Sequence, residues 1–162
     1  MLVLPAAADA ESEPLRSILK TAERRGTEIV RLEDDTQLTL GGLRADFFVA
    51  LGREQEDGCL MLRVSRGDFD VLVTGDVTTG VEDVLASEYD LSGTELLIAG
   101  HHGSRYATGD TLLTATGAGA AVISCGYNNY GHPTPETLDR LAGHGVAVWR
   151  TDEQGSVTIR ME

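Results

Sequence analysis

The chain predicts an α/β fold in a single domain, and three features of its sequence carry that prediction. Short apolar runs recur and each stops at a turn residue, as in Val71-Leu72-Val73-Thr74-Gly75-Asp76 and Leu96-Leu97-Ile98-Ala99-Gly100. Between them lie segments with helical spacing, such as Leu15, Ile18, Leu19 and Ala22. The order strand, helix, strand over residues 1–32 favours a parallel pair within an α/β layer.

Residues 1–5 read as a strand ended by Pro5. Ser12 precedes Glu13-Pro14, an N-cap with proline in the first turn, and Gly26 is placed to end the helix. Thr27 to Leu32 is the next strand. Asp34-Asp35 marks a turn, Gln37 to Leu40 a short strand and Gly41-Gly42 another turn. Ala45 to Leu51 reads as a strand, residues 52–58 as a charged loop, and Cys59 to Val64 with Phe69 to Thr74 as a hairpin around Ser65-Arg66-Gly67-Asp68. A helix is expected over 79–88, a strand at Glu95–Ala99, a helix at Thr111–Thr116 and a strand at Ala120–Ser124. Pro135 opens a helix that reaches Ala142. Val146–Arg150 and Ser156–Arg160 are read as closing strands around the turn Asp152-Glu153-Gln154-Gly155.

With 162 residues the chain can bury a real core. No run of apolar residues is long enough to span a bilayer, so the chain as given is expected to be soluble. The net charge of −13, with Lys20 the single lysine, disfavours a broad electrostatic grip on a polyanion. It leaves room for a nucleic-acid substrate held by a metal and a few local donors. Cys59 and Cys125 are too few for a disulfide framework and lack zinc-motif spacing; as two buried small hydrophobes they need no further role, and whether they pair is left open.

Chemistry concentrates at strand ends. Asp76 follows a strand and a glycine, where it can serve as a metal ligand or as the N-cap of the next helix. His101-His102 follows another strand, and neutral imidazole suits zinc, iron or manganese. Adjacent histidines point in different directions, so at most one of them is expected to bind a given ion directly, while the other would orient it or meet substrate, and a purely structural role for the pair is the alternative. Gly103-Ser104-Arg105 offers a tight turn with donors for a phosphate or carboxylate. Asn128-Asn129-Tyr130-Gly131-His132-Pro133 forms a polar wall after a third strand, suited to substrate contact or proton transfer. His144, just past a helix end, reads as a structural charge on the dipole.

Taken together, the TGD, HHGS and YGHP clusters and the terminal WRTD of Trp149 to Asp152, in this order, resemble the metallo-β-lactamase superfamily. The resemblance is closest to the C-terminal half of the hydrolase-like domain of ComEC-type DNA-internalisation competence proteins. It covers residues 58–160, while 1–57 would supply a β-α-β unit and the lead into the next strand. It implies an αββα sandwich, present here as its C-terminal half or in truncated form, with one or two Zn or Mn ions in the complete domain. By position, Asp76 matches the aspartate that bridges two metals, and His101 or His102 the last histidine ligand. Catalytic roles are thereby implied for Asp76, His102 and His132, and substrate contacts for Ser104, Arg105, Asn129, Tyr130 and His132.

The reaction implied is metal-assisted phosphodiester hydrolysis, with single-stranded DNA as substrate. One departure stands out. The superfamily's His-x-His/Asp-x-Asp-His ligand run lies upstream of these motifs, and no histidine precedes His101 here. The expectation is a fragment whose parent, membrane-associated and carrying the N-terminal half-domain, holds the missing ligands. Such a fragment would bind metal weakly, be nearly inactive alone and tend to dimerise through an exposed sheet edge. A non-catalytic assembly module or a small-molecule hydrolase on the same scaffold are the alternatives.

Overall fold

A computed structural model of the chain describes residues 1–8, 11–49 and 59–160. Nine strands and five helices follow one another: β1 (Leu2–Pro5), α1 (Glu13–Arg24), β2 (Ile29–Leu32), β3 (Thr36–Leu40), β4 (Leu43–Phe48), β5 (Met61–Arg66), β6 (Phe69–Val73), α2 (Thr79–Glu88), β7 (Thr94–Ile98), α3 (Asp110–Thr116), β8 (Ala120–Ile123), α4 (Pro135–Gly143), β9 (Ala147–Arg150) and the one-turn α5 (Thr151–Gln154). Strands β3 to β9 form one seven-stranded sheet in sequence order, and β1 pairs with β2 in parallel as a separate two-stranded sheet.

The large sheet changes character at β6. Strands β3 to β6 run antiparallel, with tight two-residue turns at Gly41-Gly42 and at Gly67-Asp68, the latter relying on Gly67 at φ +59°. From β6 onward each crossover carries a helix, and β6 to β9 run parallel. All four parallel strands therefore end at the same edge, and the loops that leave them cluster there. That edge carries the candidate site.

The two faces of the sheet are covered differently. The cross-strand row Arg63, Leu72, Leu97, Ala121 and Val148 looks toward the helices. Leu72, Leu97 and Ala121 join Leu85 of α2, Leu112 and Leu113 of α3 and Leu141 of α4 in the main core. Burying each large side chain there contributes about 1.5–3 kcal/mol. The neighbouring row Phe47, Leu62, Val73, Ile98, Val122 and Trp149 points the other way. Its β4–β5 end is covered by a second, smaller core that includes Leu32 and, packed against it, Val3 and Val30 of the β1–β2 layer. Toward β9 the described residues cover it less closely: Trp149 is 39% exposed, and a cavity of about 810 Å³ opens between Leu96, Ala120 and Trp149 and the segment Val157-Thr158-Ile159.

Several sequence expectations shift. Strand β4 starts at Leu43 and ends at Phe48, while Ala50, Leu51 and the charged loop lie outside the described residues. Strand β5 starts at Met61 rather than Cys59. The Ser12 side chain makes no cap bond on α1. The closing strand read at Ser156–Arg160 does not form. Residues 152–155 are not a hairpin turn: Asp152 and Glu153 sit in the first turn of α5, where carboxylates favour a helix start, and Gln154 Oε1 accepts from Arg150 N at 3.1 Å. Gly155, at φ +71°, then turns the chain away from β9. No helix among the described residues is long and apolar enough to cross a membrane.

Leu97→Ala should cost about 2–5 kcal/mol in urea unfolding, because it removes methyls from a fully packed site. Val71→Ala on the half-buried opposite face should cost less, since the atoms removed are partly hydrated in the folded protein. Equal losses would contradict the difference between the two faces.

Candidate active site at the ends of the parallel strands

Strand β6 ends in Thr74-Gly75-Asp76, and β7 beside it ends in Ala99-Gly100-His101-His102. Their tips are joined by a backbone bond: His101 N donates to Gly75 O at 2.8 Å. Gly75 takes φ +66°, and a Cβ there would lie 2.6 Å from Cys59 Sγ, so glycine is required on both counts. Asp76 is exposed and does not cap α2, whose N-cap is Thr78. The capping alternative is thereby excluded, and its carboxylate is left at the open edge.

Residues Gly100–Gly103 form a short kinked turn in which His101 (φ 46°, ψ 45°) and His102 (φ 54°, ψ 27°) are both left-handed. A side chain in this region costs about 1 kcal/mol or more, so the neighbourhood must hold the turn in place. It does so by meeting the turn's backbone groups. Gly100 N donates to Thr108 Oγ1 at 2.9 Å, Ser104 N to His101 O at 3.0 Å, and Thr134 N to Gly103 O at 2.9 Å. Gly103, at φ +83°, lies against Pro133, whose Cβ would sit 2.6 Å from any added methyl.

The strained turn sends its two imidazoles to different partners. His102 Nδ1 lies 2.7 Å from the carbonyl of Ser124 at the end of β8. A carbonyl only accepts, so Nδ1 carries a proton toward it and Nε2 is the ring nitrogen left facing away from this bond. His101 faces His132 instead, edge to face, with ring centroids 5.6 Å apart. His132 has its pKa held below the usual imidazole value, first by desolvation and then by His101, His102 and Arg105; Asp76 opposes the shift. These residues thus share one electrostatic neighbourhood, and His132 is neutral at pH 7.

The loop carrying His132 is framed by Asn128. Its Oδ1 accepts from the backbone N of Tyr130 and of His132, both at 3.1 Å, and its Nδ2 donates to Gly126 O and His132 O. The His132–Pro133 peptide is cis. Asn129 and Tyr130 are left exposed. Of the other residues assigned to substrate, Arg105 is exposed and pairs with Glu136 at 3.1 Å. Ser104 is buried: its Oγ accepts from Tyr106 N, and its carbonyl accepts from Thr137 Oγ1. Its place is inside the loop.

Two supports lie behind the site, and the first was missed by the sequence reading. Glu82 of α2 is fully buried, with Oε1 accepting from Thr108 N and Thr74 Oγ1 and Oε2 from Gly109 N. It ties the β6 tip to the loop behind the histidines. Desolvation nonetheless raises its pKa, the hydrogen bonds countering only in part. Its signal was present, since Glu82 lies three residues before the buried Leu85 on the same helical stripe. The second support is the β9 end. Thr151 Oγ1 bonds the backbone N and O of Cys125, and the Cys125 thiol donates to Asp152, which Arg150 also grips. Burial and the neighbouring carboxylate push the Cys125 thiol up, while Arg150 holds Asp152 down at about 2. His144 sits at the C-cap of α4, 2.9 Å from Asp110, in a structural role.

The donor set does not complete a metal centre. Among the described residues no three His, Cys, Asp or Glu side chains are grouped so as to hold an ion. Asp76 with one of the two histidines therefore falls short of the three protein ligands that a catalytic zinc normally has.

Known proteins similar to this chain were found at two levels. In sequence it is 38% identical over 99 residues to Competence protein ComA of Neisseria gonorrhoeae, covering 60% of this chain and 14% of that protein. It is 29% identical over 157 residues to ComE operon protein 3 of Bacillus subtilis, covering 92% of this chain and 20% of that one. Recombination protein 2 of Haemophilus influenzae matches at 32% over 107 residues, 65% of this chain and 13% of the relative. The chain thus spans a fifth or less of these curated relatives. In structure it matches the metallo-β-lactamase fold protein YhfI of B. subtilis, with TM-score 0.57, 17% identity and coverage of 93% of this chain and 63% of that one. No protein-family model matches.

Glu82→Ala should lower stability by about 2–4 kcal/mol, by leaving the amides of Thr108 and Gly109 without their acceptor. Glu82→Gln should recover only part, because an amide NH₂ must then face an N–H donor; the check is denaturant unfolding of both variants. For Cys125, a raised pKa keeps the thiol protonated at pH 7, so alkylation by iodoacetamide should be slower than for a free thiol and should accelerate only above the usual thiol range. Asp152→Asn should speed it, read by peptide mass spectrometry.

Proposed function

From the metallo-β-lactamase fold of this chain and its kinship with ComEC-type competence proteins, we propose that it is part of a phosphodiester-hydrolysing domain that acts on single-stranded DNA during uptake. The observation that carries this reading is the stitch between the tips of β6 and β7. It sets Asp76 and the two histidines at one edge of the sheet, with His132 opposite His101. The chain contributes one wall of the site. The Zn²⁺ or Mn²⁺ implied by the fold would draw at least one further donor from outside the described residues.

The roles of the chain's own groups follow from their state. His132, neutral at pH 7, can take a proton from a reacting group. His102, protonated at Nδ1, offers Nε2 as an acceptor or ligand, and Asp76 offers a carboxylate at the same edge. Arg105 and Asn129, both exposed, are donors for phosphate oxygens, Arg105 exchanging Glu136 for the substrate. Ser104 holds the turn that presents Arg105 and Tyr106.

The half-covered sheet supports the partner part of the reading. The N-terminal half of the domain, in a membrane-associated parent, would roof the β6–β9 face where Trp149 and the 810 Å³ cavity are left open. Without that layer a second copy is the competing occupant, which makes the isolated chain dimerise. A non-catalytic assembly role is the second reading, favoured by the shortage of grouped ligands.

Two measurements test the proposal. The chain alone should bind Zn²⁺ or Mn²⁺ substoichiometrically and leave labelled single-stranded DNA intact. A longer polypeptide that includes the preceding segment should bind metal stoichiometrically and cut, and Asp76→Ala in it should lower the rate by at least a hundredfold. Full activity of that variant would overturn the role of Asp76, and no cleavage by the longer protein would favour the assembly reading.

A further inference from the structure

We propose that the exposed rings of Tyr127 and Tyr130, with Tyr106 on the other histidine-bearing loop, form a stacking platform for the unpaired bases of a single strand that crosses the strand ends. This deepens the reading of DNA as substrate and rests on it. Three of the chain's four tyrosines stand in solvent, Tyr106 at 67%, Tyr127 at 101% and Tyr130 at 85% exposure. The fourth, Tyr89, shows what a structural tyrosine does here: it packs edge-on against Phe48 and donates its hydroxyl to Asp35. The exposed three bury nothing of comparable extent. All three lie on the two loops that carry the candidate histidines.

Their setting suits a flat, partly polar ligand. Tyr127 and Tyr130 border a recess of about 340 Å³ that is also lined by His102, Cys125 and His132. This lies within the range of small-ligand sites. Tyr130 is tilted 35° from the His132 ring at 6.1 Å between centroids, and Tyr106 lies 6.0 Å from the Arg105 guanidinium. The two rings are not on a loose loop, since Asn128 between them makes four hydrogen bonds to its backbone. Little order remains to be imposed on binding.

Charge makes the same point. A chain of net charge −13 gains little from a broad electrostatic grip on a polyanion, so the few phosphate contacts of Arg105 and Asn129 need support from contacts that do not depend on charge. Base stacking on aromatic faces is such a contact, tolerant of sequence and closed to a duplex, whose bases are already stacked.

The test is fluorescence anisotropy with end-labelled oligothymidylate, an abasic oligomer of equal length and a duplex, at two salt concentrations. Wild type should bind oligothymidylate with a shallow salt dependence and bind the abasic strand and duplex at least tenfold more weakly. Tyr127→Ala/Tyr130→Ala should lose tenfold or more for oligothymidylate, while Tyr127→Phe/Tyr130→Phe should stay within about threefold, because stacking needs the ring rather than the hydroxyl. Equal binding of oligothymidylate and abasic strand, or an unchanged alanine variant, would overturn the platform and leave the DNA reading standing. If wild type binds none of the oligomers, the DNA reading falls and the platform with it.

Discussion

The candidate site depends on one constraint: two consecutive histidines are held in left-handed backbone geometry at the end of a parallel strand. Side chains disfavour that geometry, so partners for the turn's backbone groups are needed to hold it. Gly75, Thr108 and Thr134 supply those partners from three different segments. Glu82 then secures the Thr108 segment to the tip of β6. The chemistry-bearing loops are therefore parts of one hydrogen-bonded assembly rather than separate surface loops.

That assembly exists because the sheet becomes parallel at β6. Antiparallel hairpins would have returned the chain to the opposite edge after every strand. Crossovers through α2, α3 and α4 instead bring β6, β7, β8 and β9 to the same edge, and bury Leu85, Leu112 and Leu141 on one face as they do so. The other face is roofed at β4 and β5 by the β1–β2 layer and left open toward β9. One architecture thus creates both the site and the unroofed surface beside it.

Electrostatics at the site are local rather than global. The strongly acidic chain nevertheless holds its chemistry in a pocket of imidazoles where His132 stays neutral, with Arg105 on one side and the Arg150–Asp152 pair on the other. Carboxylates near the site are mostly committed: Glu82 to backbone amides, Asp152 to Arg150, Glu136 to Arg105. Asp76 is the acidic side chain that the β6 tip leaves at the edge.

Much of this was legible in the sequence. Apolar runs stopping at Gly75 and Gly100 specify strands that end in turns, because an extended apolar segment needs burial and glycine permits the reversal. The β-α-β start, the Arg66-Gly67-Asp68 hairpin and the three crossover helices follow from the same local rules. Those rules fail where a local choice is decided by distant atoms. The helical stripe of Glu82 hints at burial, but nothing local names its partners, since the amides of Thr108 and Gly109 arrive from far along the chain; Asp152 reads as a hairpin turn until Arg150 and Cys125 claim its carboxylate. That His101 and His102 diverge was legible from their adjacency, but their partners, His132 and the Ser124 carbonyl, belong to the tertiary structure, since a φ above zero at a histidine is stabilised only by the neighbours that bind its backbone. Sequence alone determined which residue types reach the strand ends; packing between segments decided which way each one faces.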